Sequence, residues 1–226
     1  MPMNEHDLAE YLRNTPDFFD RHAELLAQIQ LISPHGKRAV SLQERQIELQ
    51  RDKTKTLELK VAEMVRYAQE NDAISSKLLR WVRALLAEGS YIKLPVLLTH
   101  ELKEQFSLPQ VGLKLWRLAP EYAQLPATNN VSDDAITFAN SLSLPYCGIN
   151  SGFEAANWLP EPAAVRSLAL IPLRPVDGST ISAGTFGLLV IGSPDPQRFT
   201  PNMGTEFLQR IGELSSAALA KLLPRS

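Results

Sequence analysis

The chain has 226 residues and a mass of 25.1 kDa, with 44% apolar and 21% charged side chains, a balance that excludes a disordered, collagen-like or wholly membrane-embedded chain. One cysteine excludes a disulfide framework, no apolar run approaches the ~20 residues a spanning helix needs, and residues 1–10 carry acids where a signal peptide has basic and apolar blocks. The chain therefore reads as cytoplasmic, and its net charge of −2 provides no global attraction for nucleic acid or anionic lipid.

Glycine and proline mark the boundaries. Residues 37–88 contain neither, whereas ten of the eleven glycines lie at or beyond Gly89 and thirteen of the sixteen prolines at or beyond Pro95. Three regions are expected: a short helical arm over 1–36, a long helix over 37–88 and a turn-rich domain over 89–226.

In the arm, Leu8, Tyr11 and Leu12 fall at helical spacing. Thr15-Pro16-Asp17 then predicts a new helix start, with Thr15 as cap and Pro16 at the first helical position. That second helix would carry Phe18, Phe19, Leu25, Leu26 and Ile29, and Pro34-His35-Gly36 would end the arm in a turn. An arm this short cannot build its own core, so Phe18 and Phe19 are candidate contacts for a protein partner.

Ser41-Leu42-Gln43-Glu44 has the hydroxyl and the glutamate of a capping box, so the long helix should begin there. With no breaker before Gly89 it would run ~47 residues, or ~70 Å, further than a domain of this size is wide. Leu57, Met64, Asn71, Leu78 and Leu85 repeat every seven residues, with Val61, Ala68, Ser75 and Val82 between them. This is an a/d seam in which Asn71 is the polar position that specifies register. The implied state is a parallel homodimer, with a helix folded back on its own domain as the alternative. Between residues 37 and 60, seven basic side chains outnumber four acidic ones, but the acids are interleaved at helical spacing, which favours a solvated face over direct DNA binding.

Beyond Gly89, Leu94, Leu97, Leu98, Leu102 and Phe106 predict a helix, and Val111 to Leu118 a strand with Val111, Leu113 and Leu115 on one side and Lys114 and Trp116 on the other. Ser132 should cap a short helix to Leu142, with Asp133 and Asp134 in its first turn. Residues 167–174 and 185–192 are apolar on both faces and predict paired central strands. Thr200-Pro201 predicts the start of a closing amphipathic helix carrying Met203, Phe207, Ile211, Leu214, Ala218 and Leu222.

The run Arg166–Arg174, then Gly184–Ser193, then Asp195 to Phe199, Thr200-Pro201 and the closing helix resembles the second half of a GAF domain, over roughly residues 90–223. Thr15–Phe19, Pro34-His35 and Ala39–Gln46 resemble a family of bacterial cytoplasmic proteins, the domain-of-unknown-function family number four-eight-four. The resemblance implies an α+β fold, GAF-like, with an antiparallel central sheet flanked by helices and preceded by a long helix and a helical arm. It implies no attached kinase, cyclase or phosphodiesterase. Genes of this family are said to neighbour a tyrosine site-specific recombinase gene, which points to a partner and to no activity. GAF domains bind cyclic nucleotides, bilins, haem, amino acids or nothing, between one sheet face and the helices and loops over it. This chain lacks the cyclic-nucleotide signature, and Cys147 lacks the neighbours of a bilin attachment site.

The residues themselves point to no catalysis. His6, His22, His35 and His100 are scattered, so no metal site is expected, and there is no Gly-x-Ser-x-Gly elbow, phosphate loop or dinucleotide fingerprint. No enzyme and no cofactor is expected. Gly148 to Gly152 reads as a loop, and the stretch from Pro145 to Arg166 is the expected place for a small-molecule pocket. Its candidate residues are Tyr146, Cys147, Phe153, Glu154, Trp158 and Arg166, together with Trp116. The expected function is a dimeric, non-enzymatic sensor or adaptor that signals through its helical stalk. The alternative is a ligand-free interaction scaffold.

Overall fold

Asn4 starts the first helix: its Oδ1 accepts from the Asp7 backbone N–H at 2.8 Å, and Asp7 Oδ2 accepts from the Asn4 N–H at 3.3 Å. These coordinates are a computed structural model, which describes residues 4–28, 30–32, 39–175, 184–201 and 205–224, with side chains described except over 26–32 and 39–44. The chain divides into two compact units, residues 1–71 and 72–226.

The first unit holds α1 (Glu5–Asn14), α2 (Asp17–Arg21), α3 (Ala23–Gln28), a hairpin of β1 (Gln30–Ile32) and β2 (Ala39–Ser41), and the first part of α4 (Leu42–Ala87). The expected second helix is two short ones broken at His22, and Thr15 makes no side-chain cap to α2. Phe18 packs edge-on to Phe19 and Tyr11, at 5.5 and 6.1 Å between ring centroids, and lies 4.7 Å from the His22 ring. Both Phe18 and Phe19 remain half-buried, and no residue of α1 or α2 is buried. The antiparallel hairpin pairs Leu31 with Val40, an element that periodicity over so few residues does not reveal. The Pro34-His35-Gly36 turn, the side chains of Leu26 and Ile29 and those of the Ser41–Glu44 capping box lie outside the described residues, although α4 does begin at Leu42.

The second unit begins inside α4, not at the expected boundary near Gly89. Trp81 and Leu85 are the reason: they are 0% and 5% exposed, and Leu78 and Val82 pack half-buried beside them. The indole Nε1 of Trp81 donates to the Leu98 carbonyl at 3.2 Å, so even the polar end of the ring is satisfied indoors. Leu78, Val82 and Leu85 therefore belong to the core of their own domain and not to a dimer seam. The spacing 78, 81, 82, 85 puts one helix face on one surface, and the chain's own sheet-covering helices supply that surface.

After α4 come α5 (Leu94–Phe106), β3 (Gln110–Leu115), α6 (Asp133–Ser141), β4 (Tyr146–Ile149), β5 (Ser167–Leu173), β6 (Gly187–Ser193) and α7 (Glu206–Leu219). The strands form one antiparallel sheet in the order β3-β6-β5-β4. β5 and β6 are its centre, register Ser167↔Ser193 to Leu173↔Gly187, and their side chains are almost all buried on both faces, as their unbroken apolar runs require. Leu113, Leu115, Ala169, Ile171, Leu189 and Ile191 meet α5, α7 and the end of α4 on one face. Leu168, Leu170, Leu188 and Val190 meet α6 and the segment 153–165 on the other. Fold class and layer arrangement are those expected: an antiparallel sheet flanked by helices and preceded by a long one.

Two boundaries differ. α7 starts at Glu206 and not at Thr200-Pro201; Phe199, 4% exposed, instead anchors the approach to the helix in the α7-side core. Met203 lies outside the described residues. The expected loop from Pro145 opens with the edge strand β4, because Tyr146 to Ile149 pair with Leu170 to Ser167 and the turn comes only at Asn150–Gly152.

Candidate functional site

The face of the sheet opposite α7 is covered by one short helix and a non-repetitive segment, and there the structure leaves room. Ser132 caps α6, its Oγ accepting from the Ala135 N–H at 3.1 Å. The same hydroxyl donates to Glu154 Oε2, and Glu154 Oε1 accepts from the Ser132 N–H at 3.3 Å. One carboxylate on the 3-10 turn Glu154–Trp158 thereby fixes the start of a helix twenty-two positions earlier in the chain.

Aromatic rings frame the gap. The Phe153 ring lies 5.2 Å from Tyr146 and 5.4 Å from Phe138, centroid to centroid. Tyr146 folds over Gly148, where a methyl group would come within 2.8 Å of the ring carbon Cζ, so only glycine admits the ring in that position. The remaining cavity is about 180 Å³, lined by Asp134, Ala135, Phe138, Phe153, Glu154, Ala155 and Leu188. Its walls hold two carboxylates and no basic residue. A volume of that size is below the ~300–1,000 Å³ of drug-sized sites.

Of the residues expected from the sequence, Phe153 and Glu154 line this cavity and Tyr146 braces it. Trp116 and Trp158 sit in the same apolar cluster without lining it. The Trp116 indole donates to the Thr185 carbonyl at 2.6 Å, and Thr185 in turn donates its N–H and hydroxyl to Asn140 Oδ1, so this tryptophan ties the sheet to α6. Two expected residues lie elsewhere. Cys147 follows Tyr146 in a strand and so points to the other face, 5% exposed in the α7-side core, where burial pushes its thiol pKa up. Arg166 is exposed, a solvated strand end whose backbone N–H donates to Ser193 O at 2.8 Å. Asp134, Ala135 and Phe138 on α6 and Leu188 on β6 were missed. The available signal was helical: Asp134 and Phe138 are four residues apart and share a face.

On α4, Leu57, Val61 and Met64 are 61%, 57% and 69% exposed, and Asn71 is exposed as well. Among the described residues no three His, Cys, Asp or Glu side chains come together as a metal site, and no helix is long and apolar enough to cross a membrane.

A four-stranded antiparallel sheet flanked by helices and preceded by a long helix makes this an α+β protein. The chain belongs to the family described as "Protein of unknown function, DUF484", which it matches over residues 1–225. It is 27% identical over 230 aligned positions to "Uncharacterized protein YigA" of Salmonella typhimurium, covering 99% of this chain and 94% of that one. Among solved structures it is similar to the GAF domain of a phosphoenolpyruvate-protein phosphotransferase from Coxiella burnetii, at 13% identity and a TM-score of 0.47, over 65% of this chain and 90% of that one. The GAF domain of an Acinetobacter phosphoenolpyruvate-protein phosphotransferase is similar at 14% identity and a TM-score of 0.44, over 66% of this chain and 93% of that one.

Proposed function

We propose that the chain is a non-enzymatic, dimeric GAF-like sensor or adaptor. A small molecule occupies the cavity beside Phe153 and Glu154, and a second copy of the chain covers the α4 stripe of Leu57, Val61 and Met64. The observation that carries the reading is that stripe. Every residue from 49 to 76 is exposed in the single chain, and within that stretch Leu57, Val61 and Met64, at heptad spacing, stand in water on one side of the helix. A helix with such a stripe is stabilised by association, and pairing with a second copy is the simplest association. Ligand and stalk would be coupled by population shift: a ligand biases stalk packing only by its different affinity for two arrangements of the dimer.

Sedimentation of the full chain and of Asn71→Leu tests the stalk. The variant should associate more tightly or change stoichiometry, and a monomer in both cases removes the dimer. A thermal-shift screen with metabolites and nucleotides tests the ligand. Specific stabilisation, lost in Phe153→Ala, is the expected result.

The second reading, a ligand-free scaffold, is favoured by the open cluster of Tyr11, Phe18 and Phe19, an aromatic surface with no buried residue in its helices. It would hand Phe18 and Phe19 to a protein partner, a component of a site-specific recombinase system being the one the family resemblance points to. A silent screen together with a partner lost on Phe18→Ala would favour it.

A further inference from the structure

A second cleft lies at the edge of the sheet, between α7 and the segment that follows α6, where β5 outruns β4. Pairing between the two strands ends at Tyr146↔Leu170, so Ile171 to Leu173 face no strand on that side. Pro172 stands in this unpaired stretch, where a missing N–H costs little. The cleft measures about 420 Å³, within the range of small-molecule sites. Buried Pro145 and Ile171 form its floor together with Pro172. α7 forms a wall and can approach this closely because residue 212 is glycine; a methyl there would meet Ile171 Cγ2 at 2.8 Å.

Two opposite charges line the cleft without meeting. Arg174 Nη2 donates to the Leu142 carbonyl and, at 3.4 Å, to the Asn140 carbonyl, so the guanidinium is held at the C-terminal end of α6. Its backbone N–H donates to Ser216 Oγ at 3.1 Å, which fixes the strand end against α7. Glu213 stands on α7 and accepts from Gln209 Nε2 at 3.1 Å. The ion pairs found among the described residues are Arg45–Glu48 and Arg66–Glu70, so Arg174 and Glu213 are lined up on the cleft but not on each other.

We propose that this cleft binds a small zwitterion, an α-amino acid with a compact apolar side chain. Its carboxylate meets Arg174, its ammonium meets Glu213, and its side chain rests on Pro145, Ile171 and Pro172. The pattern discriminates by charge on both sides. A phosphate or simple carboxylic acid would give Glu213 no counter-charge, and a simple amine would give Arg174 none. The site is distinct from the Glu154 cavity, with which it shares no lining residue.

The test uses the full chain with L-valine, L-leucine and L-proline at millimolar concentration, read by saturation-transfer NMR and thermal shift. N-acetyl-L-valine, without the ammonium, and isobutylamine, without the carboxylate, are the half-molecules. An L-amino acid should bind, and each half-molecule should bind at least about tenfold more weakly, the loss of one charge-assisted contact. Glu213→Gln, an exposed change that should leave the melting temperature alone, should weaken L-valine about tenfold and abolish its advantage over N-acetyl-L-valine. Phe153→Ala should leave L-valine binding unchanged, which separates this cleft from the Glu154 cavity. A silent panel, equal binding of L-valine and its N-acetyl form, or wild-type affinity in Glu213→Gln would each overturn the proposal.

Discussion

Residues 57–71 and 78–85 of α4 carry one hydrophobic rhythm and meet opposite fates. In the first stretch Leu57 and Met64 are 61% and 69% exposed; in the second Leu85 is 5% exposed and Trp81 is fully enclosed. Apolar periodicity states that a helix face must be covered, and it is silent on what covers it. The difference arises from Trp81. A bulky ring beside Leu78, Val82 and Leu85 widens the stripe from a narrow coiled-coil seam to the broad face that docks on a globular core.

The sharpest way to break this comparison is truncation on both sides of it. Trp81→Ala should cost roughly 3–5 kcal/mol of domain stability, since it empties a fully buried site and removes the indole hydrogen bond to the Leu98 carbonyl. Leu85→Ala should cost about 2–5 kcal/mol by the same cavity argument. Met64→Ala should leave the urea midpoint of the C-terminal domain where it is and weaken only self-association, seen by sedimentation. A large loss of domain stability from Met64→Ala would mean that the first stretch is covered in cis after all.

Smaller effects probe the cavity face. Glu154→Gln keeps the shape but removes the charge that holds Ser132, and should cost about 1 kcal/mol, the scale of one helix cap, with loosened amide protection at the start of α6 in hydrogen exchange. The smallest effect concerns Cys147. Burial raises its pKa above the ordinary 9.0, so the folded state holds the thiol proton more tightly than the unfolded one. Its contribution to stability is therefore intact below pH 9 and declines as pH rises through the folded-state value. Thiol-reagent titration of the native chain at neutral pH should be slow. Fast labelling would place Cys147 at the surface.

The candidate site was legible only in part. Phe153 and Glu154 were readable as aromatic and charged residues in a long stretch between strands, but the alternation inside Tyr146–Ile149 was too short to register as a strand. Once residues 146 and 147 are in a strand, only one of them can look into the cavity, and Cys147 is the one that turns away. Arg166 failed for a related reason, because the end of a strand is defined by where its partner stops, a property of two segments. Asp134 and Phe138 were available as a helical pair, yet nothing local says which segment that pair will face.

Local signals in the chain are enough for the unbroken α4, the Ser132 cap and the two doubly apolar strands β5 and β6. These follow from backbone propensity, capping and side-chain period, which act within a few residues. Tertiary structure alone decided which face of α4 is spent inside the domain, that β4 exists, and that Arg174 and Glu213 line one cleft. Each of these depends on contacts between segments distant in the chain, and their free energy is set by packing that no local window contains.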